Sequence, residues 1–162
     1  MVARALAAIR ADRRLQVLAL AVVLGGAAFA WWTISPLFIT TTLVEQDGAG
    51  AGSVLSRGEL QRVDDVHKGS GPVSIAQSGG QLFVRFEDVA IQNGPDLQVY
   101  LGRGTGGAYD GATDLHLGAL KATNGTFSYE IPPGTRIEDY RSVIVWCRAF
   151  FTLFTWADLA RP

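Results

Sequence analysis

Hydrophobic positions along this chain follow two different rhythms. From Leu15 to Ile34 they run almost unbroken, with Gln16 and Thr33 the only strongly polar side chains. A helix over these 20 residues is apolar all round and, at about 1.5 Å per residue, spans the roughly 30 Å hydrocarbon core of a bilayer. Pro36 ends it near Ser35, because the residue before a proline is pushed out of the helical region.

From Arg57 onward the rhythm changes to short alternating runs. Val73 and Ile75 flank Ser74; Leu82, Val84 and Phe86 flank Phe83 and Arg85; Leu97, Val99 and Leu101 flank Gln98 and Tyr100; Phe127, Tyr129 and Ile131 flank Ser128 and Glu130. A period of two puts each set on one face of a strand. The runs are separated by Ser78-Gly79-Gly80, Asn93-Gly94-Pro95-Asp96, Asn124-Gly125 and Pro132-Pro133-Gly134, each a turn signal because glycine and asparagine accept positive φ and proline fixes its own. The pattern predicts an all-β fold, an antiparallel β-sandwich or barrel, preceded by a single N-terminal transmembrane helix.

The last apolar run, Tyr140 to Leu159, holds the lone cysteine, Cys147. Read as one strand from Ser142 to Phe154, it places Val143, Val145, Cys147, Ala149, Phe151 and Leu153 on one face and Ile144, Trp146, Arg148, Phe150 and Phe154 on the other. Both faces are mostly apolar, which predicts cover on each side and puts Cys147 in or near the core.

These rhythms divide the chain into an Arg-rich leader (1–14), the anchor (15–39), a Gly-rich flexible linker (40–56) and the domain (57–162). Charge follows the division: the first 39 residues carry a net +3 and the remainder −4. The basic end favours the cytoplasmic side, which puts the domain outside, and Trp31 and Trp32 suit the far membrane interface. Ala28-Phe29-Ala30 also resembles a signal-peptidase site, with cleavage after Ala30 and a secreted product as the competing expectation. Apolar character continuing through Ile39 favours the anchor, with membrane lipid as its partner and a membrane or extracytoplasmic protein as a further one. A mildly acidic domain gives no electrostatic footing for nucleic acid.

Candidate chemistry is sparse. One cysteine excludes an internal disulfide, and Cys147 can act as a redox thiol only where it spends time as thiolate; otherwise it packs as a small hydrophobe. Arg148 points to the opposite face of an ideal strand and is poorly placed to lower the thiol pKa. His67, His116 and Cys147 are the strong nitrogen and sulfur ligands of the domain, formally a blue-copper trio, but no histidine or methionine follows Cys147 on a short loop, so copper lacks its motif. Covalent haem is excluded without CxxCH; non-covalent haem stays open, with His67, His116 or Cys147 as axial ligands. Neither histidine sits in a nucleophile motif, and no GxSxG elbow occurs. Asp96, Asp110 and Asp114 lack DxDxDG spacing for a hard cation. Asn124-Gly125-Thr126 matches a glycosylation acceptor, although turn formation explains Asn-Gly without it. The glycine-rich stretch from Gly102 to Asp114 reads as the mobile rim of a site.

Together these residues resemble the DM13 family, described as an electron-transfer module and related to haem- and sugar-binding DOMON sandwiches. The resemblance rests on Gly58 and Leu60, His67 and Gly71, Leu82-x-Val84-x-Phe86 and Asn93-Gly94-Pro95-Asp96-Leu97-x-Val99-Tyr100-Leu101. It continues through Asp114-Leu115, Leu117-Gly118-x-Leu120-Lys121 and Gly125-x-x-x-Tyr129-x-Ile131-Pro132, then Tyr140, Val143 to Phe154 around Trp146-Cys147, and Ala157-x-Leu159. It covers roughly residues 57–160 and implies a β-sandwich whose single cysteine is redox-active. Thr155 stands where the family pattern leads one to expect a glycine. The expected function is therefore a membrane-anchored redox module centred on Cys147, and the rival is a non-catalytic binding or assembly module in which the cysteine is structural.

Overall fold

The computed structural model describes residues 13–35, 40–45 and 52–161, and the chain divides into two compact units at Phe38 and Ile39. The first contains helix α1, Arg13–Ile34. Its apolar side chains are exposed along its length, and it is long and apolar enough to cross a membrane.

The second unit is a two-sheet sandwich. In chain order its strands are β1 (Thr42–Val44), β2 (Ser53–Glu59), β3 (Gln61–Arg62), β4 (Gly69–Ser70), β5 (Pro72–Ser78), β6 (Gln81–Ile91), β7 (Leu97–Gly102), β8 (Leu115–Ala119), β9 (Asn124–Glu130), β10 (Ser142–Cys147) and β11 (Thr152–Asp158). One sheet runs β1-β9-β6-β5-β2 with β4 on β6; the other runs β3-β11-β10-β7-β8. Every pairing is antiparallel except β1 on β9, which is parallel.

The alternation read from sequence does set the core. Val73, Ile75, Val84, Phe86, Phe127 and Tyr129 from one sheet meet Leu97, Val99, Leu101, Val143, Val145 and Cys147 from the other. Along β6 the period breaks once: Val84 and Phe86 are buried, and so are Val89 and Ile91. A bulge at Glu87-Asp88 restores the phase, with Asp88 at φ 46 and its N–H donating to Thr126 Oγ1 at 2.9 Å. One extra residue thus keeps both halves of a long strand facing the core. Between β5 and β6, Gly79 and Gly80 take φ 57 and 85, the two positive values that a two-residue hairpin turn requires.

Three expectations are corrected. Residues 40–56 are not all linker: Thr42 to Val44 pair with Asn124 to Thr126, and β2 begins at Ser53; residues 46–51 lie outside the described residues. Asn124-Gly125 is not a turn but the start of β9, where Gly125 takes φ 111 and lies directly under the Leu43 backbone. The run from Ser142 to Phe154 is not one strand but a hairpin. Cys147 ends β10, residues 148–151 turn with Phe151 at φ 50, and β11 starts at Thr152. A bulge opposite Val145 and Trp146 then puts Phe154 in the core and Leu153 opposite Trp146, reversing their expected faces.

Candidate redox site

Strand β10 presents two faces. Val143, Val145 and Cys147 point into the sandwich, and Cys147 is a free thiol with 0% exposure. Ile144 and Trp146 point outward from the sheet, beside Tyr100 and Gln98 of β7 and Trp156 and Leu153 of β11. The loop following β7 folds over this outer face, which supplies the second layer of cover that the apolar pattern of β10 demanded.

That loop is pinned by carboxylates. Asp114 accepts the N–H groups of Arg103 at 3.0 Å and Asp110 at 2.8 Å; Asp110 accepts from the Ala112 N–H and the Thr113 hydroxyl, both at 2.9 Å; Asp158 of β11 accepts the Gly106 N–H at 2.9 Å. Gly107, at φ 75, lies against the Leu153 and Trp156 side chains, where a Cβ would stand 3.1 Å from the Trp156 ring. Asp110 and Asp114 thus organise the loop backbone, and Asp96 lies apart from them on Arg148.

Tyr109 descends from this loop to stack on Trp146, with ring centroids 4.3 Å apart and planes 20° from parallel. It meets Tyr100 edge-on at 5.0 Å, and Tyr100 lies 4.8 Å from the ring of His116 on β8. Burial, reinforced by the hydrogen bond to Tyr100, pushes the Tyr109 phenol up to about 12, so it stays protonated at any physiological pH. The Trp156 indole nitrogen, also on this face, is buried without an acceptor among the described residues.

A polar chain runs parallel to the rings. Arg148 Nε donates to Asp96 Oδ2 at 3.1 Å, Gln98 Nε2 donates to Asp96 Oδ1 at 2.6 Å, and Gln98 Oε1 lies 2.9 Å from His116 Nε2. Arg148 holds the Asp96 carboxyl below its usual range, with Gln98 adding to the effect. The two chain neighbours of Cys147 therefore begin two routes, one of stacked rings from Trp146 and one of hydrogen bonds from Arg148, and both end on exposed His116.

His67 belongs elsewhere. Its Nδ1 lies 2.8 Å from Asp64 Oδ2, and its ring meets Phe154 edge-on at 4.8 Å. His67, His116 and Cys147 are thus placed separately, and among the described residues no group of three or more His, Cys, Asp or Glu side chains is positioned to hold a metal. The hydrogen bonds from the His67 ring and from the backbone of His67 and Val66 lower the Asp64 pKa from 3.8 to about 2. A depressed carboxylate contributes above its unfolded pKa and loses that contribution as pH falls through its folded one. The turn at residues 64–67 is accordingly expected to persist at pH 4 and to open only as pH approaches 2. Asp64→Ala should open it already at neutral pH, and the His67 ring resonances read both outcomes.

Tyr100, Tyr109, His116 and Trp146 as one array were not visible in the sequence, although Tyr100 and Trp146 do fall on the outward phase of their strands. Nothing in the spacing said that Tyr109, mid-loop, would stack on Trp146. At the position where a glycine was expected, Thr155 is buried and its hydroxyl donates to the Gln61 carbonyl at 2.7 Å, while Gly69 makes the close approach, its Cβ position 2.8 Å from Thr155 Cγ2.

The family model for electron transfer DM13 matches residues 60–159. The chain belongs to the DM13 family. The matched span takes in β3 to β11, Cys147, both histidines and the whole ring array. Among solved structures, a mutant superoxide dismutase 5 from Candida albicans is similar at a TM-score of 0.44 and 10% identity, over 67% of this chain and 92% of that one. No curated protein matches the chain.

Proposed function

We propose that this DM13 protein is a membrane-tethered electron-transfer module, anchored by α1 with its N-terminus in the cytoplasm and its sandwich outside. Its redox unit is Cys147 with the ring array on the opposite face of the same sheet. The observation that carries the reading is the convergence on His116: Trp146 and Arg148 flank Cys147, and the contacts leading from each reach the surface at the same imidazole. With one cysteine the chain cannot cycle through an internal disulfide; the exchange we propose is of single electrons, the Cys147 thiol giving one electron to an oxidised one-electron carrier docked at His116 and its proton to solvent to leave a thiyl radical, and regaining both from a reduced carrier. Stacked Trp and Tyr rings are the side chains able to relay them between a sealed interior and a partner docked at His116. The Arg148-Asp96-Gln98 chain holds fixed charge next to that path.

The competing reading is a binding or assembly module in which Cys147 is packing, and its complete burial is the observation on that side. Electron exchange between the full chain and a soluble one-electron mediator separates the two. Cys147→Ser is expected to abolish exchange with the fold intact, and Tyr109→Phe, which keeps the stacked ring and loses the phenol, to slow it. Exchange unchanged in Cys147→Ser ends the redox reading.

A further inference from the structure

Six large apolar side chains of the sandwich are exposed: Val44, Val54, Val63, Val66, Phe150 and Phe151. Four of them sit on two loops at one end. Residues 148–151 join Cys147 to Thr152, and residues 63–68 join β3 to β4; both loops emerge beside Asn93 to Asp96, since Arg148 bonds Asp96, and the Gln92 N–H donates to the Lys68 carbonyl at 2.9 Å. Thr40, where the chain enters the sandwich, lies at the same end, its hydroxyl 3.5 Å from Asn93 Nδ2.

We propose that this end is a membrane-docking surface, with Phe150 and Phe151 entering the interface of the same bilayer that α1 would cross; the proposal rests on the anchored reading above. Chain length makes the bilayer the occupant. Only residues 35–39 separate α1 from Thr40, and five residues reach at most about 18 Å. The tether therefore leaves the sandwich at the same end that carries the exposed phenylalanines. Phe151 is 83% exposed and Phe150 61%, and Phe151 keeps φ 50, a strained value for a bulky side chain that no packing of its ring offsets. Lipid contact would supply the missing burial for both rings.

Charge agrees with shallow insertion. Of the carboxylates at this end, Asp65 pairs with Arg62 and Asp96 with Arg148, and Asp64 is hydrogen-bonded by His67. Lys68 on the same loop offsets the remaining charge of Asp64 as phosphate headgroups approach.

The test uses the full chain in phosphatidylcholine vesicles containing lipid spin-labelled either at the headgroup or deep in the acyl chain, with a fluorophore on Ala149→Cys at the tip, Gln77→Cys at the opposite end of the sandwich, or Leu24→Cys in α1. Cys147 is buried and does not compete for label. The expected result is quenching of position 24 by the acyl-chain label and of position 149 by the headgroup label, with neither acting at 77, and with Phe150→Ser plus Phe151→Ser reducing the tip signal to that of position 77. Quenching at 24 without quenching at 149 overturns the docking surface and leaves the anchor standing; no quenching at 24 overturns the anchor and the proposal with it. Self-quenching between tip labels in detergent, without lipid quenching, would assign the end to a second copy of the chain and also overturn it.

Discussion

Truncating Phe86 to alanine is expected to destabilise the sandwich by about 3–5 kcal/mol, the range for a large aromatic removed from a rigid core. Phe86 is fully buried on the central strand of its sheet, stacked on Phe127 at 5.0 Å and edge-on to Tyr129 at 5.9 Å. The two partners are fixed by the β6–β9 register, in which Phe86 faces Phe127, so they cannot collapse into the vacated space. Domains of this size are stable by only about 5–15 kcal/mol, and the variant should be largely unfolded in mild urea. A denaturation midpoint close to wild type would show that this core relaxes far more than its packing suggests.

Gly125→Ala is expected to detach β1. Gly125 combines φ 111 with direct contact against the Leu43 carbonyl, so a methyl group there meets backbone, which cannot move aside as a flexible side chain would. The strain alone is about 1–3 kcal/mol, and peeling β1 away adds the loss of what Glu45 holds: the Ser128 N–H at 2.9 Å and the Lys121 ammonium at 2.9 Å. Hydrogen exchange reads this locally, because the Glu45 N–H donates to the Thr126 carbonyl at 2.8 Å. Protection there should vanish in the variant while Val84 and Val99 in interior strands stay protected.

The period-two pattern was enough to read the core, because burial on one face is what selects those residues; Val73, Ile75, Val84, Phe86, Leu97, Val99 and Leu101 follow it directly. It failed where backbone conformation decides. Phe151 and Asp88 adopt positive φ without glycine, so neither the hairpin within 142–154 nor the bulge in β6 announces itself by composition. β1 is three residues long and lies in a stretch that reads as linker, and what recruits it is a glycine on another strand. The candidate site was legible only in its anchor points: Cys147 on the inward phase of β10, and Arg148 directed away from it. The ring array depends on a loop whose path is set by the hydrogen bonds of Asp110, Asp114 and Asp158, long-range information that no local pattern carries.

The most direct test of a redox unit at Cys147 is protein-film voltammetry of the full chain beside its Cys147→Ser variant, both first checked to be folded. A reversible one-electron wave is expected in the native chain and is expected to be absent from the variant. Superimposable traces from the two proteins would rule out a redox unit at Cys147 and leave it as core packing in a binding module.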